Sequence, residues 1–162
     1  MEKACSAVGQ YSDEQMVDEF DSFFRAQPAV CDFIVELTHE SSQKIQELSL
    51  FLSYMVFKTM EVSETGAPAM VTVEDIEVAY KQTEAWMANI SDVEGTELEQ
   101  AIVRSLRRDT EPHLLQYVIS ELNEPMDDGT PLNDEEKGEV FFILKTIIAS
   151  ICNDMRQDEE NH

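Results

Sequence analysis

Glu36 and His39 stand three residues apart in Glu36-Leu37-Thr38-His39, a spacing that puts carboxylate and imidazole on one helix face. A di-iron centre in a helical bundle takes two such pairs, plus a glutamate from each of two further helices. The other E-x-x-H here runs from Glu159 to His162 in a polar tail, so His39 reads as a helix-end residue. Glu135, Glu136 and Glu139 form E-E-x-x-E, half of a magnesium clamp. The other half, an E-x-x-D one helix further on, is missing; only Asp154 and the tail follow. Asp127-Asp128-Gly129 fails as a calcium loop. With Gly129 at the sixth position, Met126 occupies the third, where an oxygen ligand is required.

Cys5, Cys31 and Cys152 are odd in number and far apart, with no C-x-x-C or Cys/His cluster. They predict free thiols and no zinc site. HExxH, a Gly-rich phosphate loop and a nucleophile elbow are all absent, and no Ser/His/Asp or Cys/His grouping stands out. No cofactor and no metal are expected, and no catalytic residue is assigned.

The cations are scarcer and more informative. Arg104, Arg107 and Arg108 are three of five arginines and close one predicted helix. They suit a phosphate or a partner's carboxylates, and equally a helix C-terminus with Asp109 and Glu111 alongside. Lys58 and Lys145 each lie in the most apolar part of a long predicted helix, and each is followed by threonine. A buried ammonium costs several kcal/mol unless paired. Each lysine should therefore meet a carboxylate or run its stem out to water. These five residues are the binding candidates.

The elements that must position them are helices. Ser12-Asp13-Glu14-Gln15 reads as a capping box, followed by Met16, Val17, Phe20, Phe23 and Phe24 at spacings of three and four; it predicts a helix over 13–26. Pro28 opens a second helix to Leu37. A third runs from Ser41 or Ser42 to Val62, apolar on two faces and so placed between layers. Thr72 caps a fourth, to Ile90. Thr96 and Glu99 start a fifth, Thr110-Glu111-Pro112 a sixth that Pro125 ends, and Asn133 a seventh, to about Met155. The seventh is apolar nearly all round and should be the most buried. Ala69–Val73 is the one β-like run, and its end serves better as a cap.

At a shift of 84 residues, Pro28–Val35 falls on Pro112–Ile119 with proline, aromatic and β-branched positions matched. At a shift of 87, Phe57-Lys58-Thr59-Met60 falls on Leu144-Lys145-Thr146-Ile147. The reading is all-α: about seven helices in one compact bundle over 1–162, a duplicated three-helix unit with pseudo-twofold symmetry. The repeats are 12–62 and 96–155, helix 72–90 is the connector, and the ends 1–10 and 157–162 are frayed.

The chain has 162 residues, 43% apolar, enough for a core without disulfide or metal. Thirty-four Asp and Glu against eleven Lys and Arg give a formal charge of −23. That field disfavours nucleic acid and anionic membranes and favours a partner of basic or mixed surface. Met1–Ser6 lacks the apolar run of a signal peptide, and Phe141–Cys152, interrupted by Lys145, is too short to span a bilayer. The cytoplasm is the expected location. The leading expectation is a non-catalytic protein–protein interaction module, with homo-oligomers admitted. The alternative is a small-molecule or anion binder, or a small enzyme, using a pocket between the repeats. An exposed apolar groove would favour a partner; a cavity with convergent polar groups would favour a ligand.

Overall fold

A computed structural model describes residues 1–63, 66–91, 100, 102–104, 106–107 and 111–160. Among them lie seven helices: α1 (Glu2–Val8), α2 (Asp13–Ala26), α3 (Pro28–Leu37), α4 (Gln43–Glu61), α5 (Val73–Ser91), α6 (Pro112–Asn123) and α7 (Asp134–Glu160). Residues 102–104 and 106 are also helical, and no described residue is in a strand. The Thr96 cap and most of the helix it opens lie outside the described residues.

Side-chain caps start α2, α4, α5 and α7. Ser12 accepts from the Gln15 amide at 3.2 Å while its own amide donates to Gln15 Oε1 at 2.8 Å. Thr72 with Asp75 and Asn133 with Glu136 make the same reciprocal pairs. Proline opens α3 and α6, and the residues ahead of it share one backbone conformation: Gln27 at φ −133°, ψ 58° and Glu111 at φ −128°, ψ 65°. Between α6 and α7, Gly129 turns the chain at φ 77°, which a side chain would resist.

Two helices form the centre. Residues 52–57 of α4 and 143–148 of α7 are each an unbroken buried run of more than one and a half turns, so both are covered on every side. Ile147 and Ile151 are buried as expected, and α4 shares the centre with α7. α7 packs against α5, α4, α6 and α3, while α4 also packs against α1 and α3. Buried hydroxyls return their hydrogen bonds to their own helix: Ser49 to Ile45 O, Ser53 to Ser49 O, Thr83 to Ala79 O, Thr146 to Phe142 O and Ser150 to Ile147 O. That satisfies them without a partner across the interface.

Two expectations, both at the chain's ends, are corrected. Residues 1–10 are not a frayed end, because α1 docks on α4 with Ala4 fully buried and Met1 Sδ 3.1 Å from Thr59 Oγ1. The helix has no side-chain cap and is too short to persist alone, so its signal is tertiary. At the other end, α7 continues past Met155 to Glu160. The β-like run before α5 forms no strand and its Thr72 caps the helix, as expected; the run is also pinned. The buried Gln27 side chain donates to Ala69 O at 3.0 Å and accepts from the Val71 amide at 2.9 Å.

Cys5 is exposed, while Cys31 and Cys152 are buried, and none of the three is in a disulfide. Burial, with the Asp32 charge adding to it, pushes the Cys31 thiol up to about 12. A disulfide-exchange reagent at pH 8 should therefore titrate one thiol rapidly in the native protein and three after denaturation. Three fast native thiols would contradict the burial, and fewer than three on denaturation would reveal a disulfide.

Candidate functional site

The aromatic stripe of α2 sets the surroundings of Lys58. Phe20 and Phe23 pack on Tyr54 of α4 at ring-centroid distances of 4.9 and 6.0 Å, and Phe23 on Phe57 at 5.4 Å. Glu19, one position before Phe20, is thereby brought to α4. Lys58 Nζ lies 3.0 Å from Glu19 Oε2 and 3.1 Å from Glu61 Oε2, and the Tyr54 hydroxyl donates to the same Glu19 oxygen at 2.8 Å. The Lys58 side chain is 11% exposed, and its amine stands 5.8 Å from the Tyr11 ring centroid. Burial raises the Glu19 carboxyl, but hydrogen bonds from Tyr54 and Lys58 and the ammonium charge outweigh it and hold the group below its ordinary value. Burial likewise lowers Lys58, and bonds to Glu19 and Glu61 overcome it and hold the ammonium above its ordinary range. The carboxylate-paired alternative thus describes Lys58. With two carboxylates on one amine, this cluster is arranged as a brace and offers an anion little.

Lys145 is 8% exposed on α7, with Nζ 4.8 Å from the centroid of the Trp86 ring on α5. An aromatic face attracts a desolvated cation by about 2 kcal/mol, and this contact adds to whatever else holds the amine. The two lysines meet different neighbours: α2 for Lys58 and α5 for Lys145. Arg104 and Arg107 are exposed, and Arg104 Nε donates to Gln100 O at 3.2 Å. Arg108 lies outside the described residues.

The acidic motifs have structural occupations. His39 Nδ1 sits 2.8 Å from Glu36 O and Nε2 3.6 Å from Glu40, at an exposed helix end. Glu136 closes the α7 cap, and Glu139 accepts a hydrogen bond from Ser41. Asp128 receives the Thr130 amide and hydroxyl at 2.9 and 2.5 Å. Among the described residues, no group of three or more His, Cys, Asp or Glu is placed to hold a metal ion.

A wider concavity than the one beside Lys58 lies elsewhere. α3 and α5 enclose a groove of about 670 Å³, floored by Ala29, Phe33, Leu37, Ile76 and Tyr80, with Val73 at one end. Four carboxylates edge it, Asp32 and Glu36 from α3, Glu77 and Glu84 from α5, against one ammonium, Lys81. Its aromatic floor is anchored below: Phe33 meets Tyr80 edge-on at 6.3 Å, and Tyr80 meets Phe142 of α7 at 5.3 Å. Burial, the Glu84 charge and a hydrogen bond to Glu84 raise the Tyr80 hydroxyl, tying that carboxylate to the floor.

Residue patterns did not single this groove out. α3 carries apolar residues at 29, 30, 33, 34 and 37, a stripe wider than one packing seam, and that width was its available signal. Its α5 half lies more than 35 residues further along. Among the described residues no helix is long and apolar enough to cross a membrane. Comparison of the chain with protein-family models, curated proteins and solved structures finds no match.

Proposed function

We propose that this protein is a non-catalytic interaction module that receives a basic or mixed-surface protein partner. The groove between α3 and α5 carries the reading: an open apolar floor with an acidic edge, on a chain of formal charge −23. Apolar surface supplies affinity, and charge supplies steering and exclusion of wrong partners. The alternative, an anion or small-molecule site built on Lys58 or Lys145, draws little support. Lys58 is held by two carboxylates and Lys145 lies against Trp86.

The scaffold reads as a duplication of 12–62 and 96–155. Matched backbone ahead of Pro28 and Pro112 supports it, as does matched burial of Val30, Cys31 and Ile34 with Leu114, Leu115 and Val118. Thr59 and Thr146, equivalent at the second shift, both bond back to the carbonyl four residues earlier. Three cysteines outside any disulfide suit the reducing cytoplasm.

Photo-crosslinking in cells tests the function. A photoreactive residue at Lys81, in the groove, should trap a discrete polypeptide of positive net charge. The same residue at Glu47, exposed on α4, should not. Finding no polypeptide at either position, with a small molecule retained in native mass spectra, would overturn the proposal in favour of the ligand reading.

A further inference from the structure

We infer that the α3–α5 groove receives one amphipathic α-helix of its partner, about three turns long, apolar on the buried face and flanked by lysine or arginine. This rests on the interaction-module reading and specifies its occupant.

The length comes from the walls. Lining residues run from Ala29 to Leu37 on α3 and from Val73 to Glu84 on α5. At about 1.5 Å per residue these span roughly 12 and 17 Å, the length of an 8–12-residue helix. The conformation comes from what the walls offer. Both are helices whose amides and carbonyls are bonded internally, so no strand edge is available to zip onto an extended peptide. Recognition must pass through side chains, and anchors spaced i, i+3/i+4 and i+7 on one helix face suit a trough between two helices.

The chemistry comes from floor and edge together. Phe33 and Tyr80 are half-buried aromatics already held in place, Tyr80 by Phe142 and Phe33 by Tyr80, so they offer contact area at little further ordering cost. Val73 stays 64% exposed at the mouth. Asp32 and Glu36 stand at i, i+4 and Glu77 and Glu84 at i, i+7, so each wall presents its carboxylates along one side. An edge of four carboxylates to one ammonium selects a cationic helix. It disfavours a second copy of this chain, an anionic bilayer and nucleic acid, all of which carry the same sign of charge.

A synthetic 18-residue leucine–lysine peptide with helical apolar periodicity is the direct probe. Its controls are the same residues scrambled to break that periodicity, and pentalysine. By fluorescence anisotropy at 150 mM salt, the amphipathic peptide should bind at least 10-fold more tightly than either control. Glu36→Lys/Glu77→Lys should weaken it at least 10-fold, and Val73→Asp at least 3-fold. Asp18→Lys/Glu47→Lys, the same charge change on exposed positions away from the groove, should alter it less than 2-fold. Circular dichroism of each variant keeps folding out of the comparison. Equal binding of the scrambled peptide or pentalysine would overturn the inference, because charge alone would then account for the affinity. So would equal weakening by the two double variants. If the peptide fails while Lys81 still crosslinks a polypeptide in cells, the helix is wrong and the module reading stands; loss of both overturns both.

Discussion

Replacing Ile147 with alanine should cost about 2–5 kcal/mol of unfolding free energy, the range for truncating a large aliphatic side chain where the site cannot collapse. Ile147 has no exposed surface and sits within the buried run of α7, flanked along that helix by Leu144, Ile148 and Ile151. The helix packs against α5, α4, α6 and α3, so movement to fill a void on one side opens another elsewhere. A domain of this size has about 5–15 kcal/mol in total, so the variant should approach the folding threshold. Val17→Ala is the matched control. Val17 is 62% exposed, and the change should fall within about 0.5 kcal/mol. Urea titration of both reads the difference. A loss under about 1 kcal/mol at Ile147 would mean that α7 is not the packed centre.

The Lys58 brace should show the second-largest effect. Removing one partner of a fully buried ion pair costs about 3–5 kcal/mol. Glu19 is 32% and Glu61 53% exposed, so water takes up part of the loss, and Lys58→Met should cost roughly 1–3 kcal/mol. Glu19→Leu in the same chain should recover most of it, since the stranded carboxylate beside Tyr54 is then gone. A double variant as unstable as the sum of the singles would show that the two groups do not act together.

The brace also has a signed pH dependence. Glu19 is held below its unfolded value of 4.5, so its contribution is full above that value and is lost as pH falls through the lower folded value. Lys58 is held above its unfolded value of 10.5, so its contribution is full below 10.5 and is lost only as pH rises past the higher folded value. Stability from this pair should form a plateau between about pH 5 and pH 10. Glu19→Gln should flatten the acid side of the wild-type profile. An unchanged acid limb in that variant would assign the dependence to other carboxylates.

Local chemistry is where the sequence was most informative. The caps at Ser12, Thr72 and Asn133 and the prolines at 28 and 112 act within one turn of themselves, so residue type alone places the helix starts. The continuous apolar circumference of α7 likewise required burial, whatever covered it. α1 had no such signal. Its cap is bare, and its stability comes from docking on α4, a helix distant along the chain, with Ala4 buried.

Amino-acid identity alone determined an acidic all-α chain, its helix starts, and the rule that Lys58 and Lys145 must be compensated, because propensity, capping and desolvation are properties of short segments. Only the tertiary structure decided which side chains from other helices each lysine met. Glu19 reaches Lys58 because α2 lies on α4, and Trp86 reaches Lys145 because α5 lies on α7. The acid-edged groove is likewise a property of the pair α3 and α5, and neither helix contains it alone. A site shared by two segments distant in sequence depends on how they pack, and packing sums many weak contacts that no local pattern records.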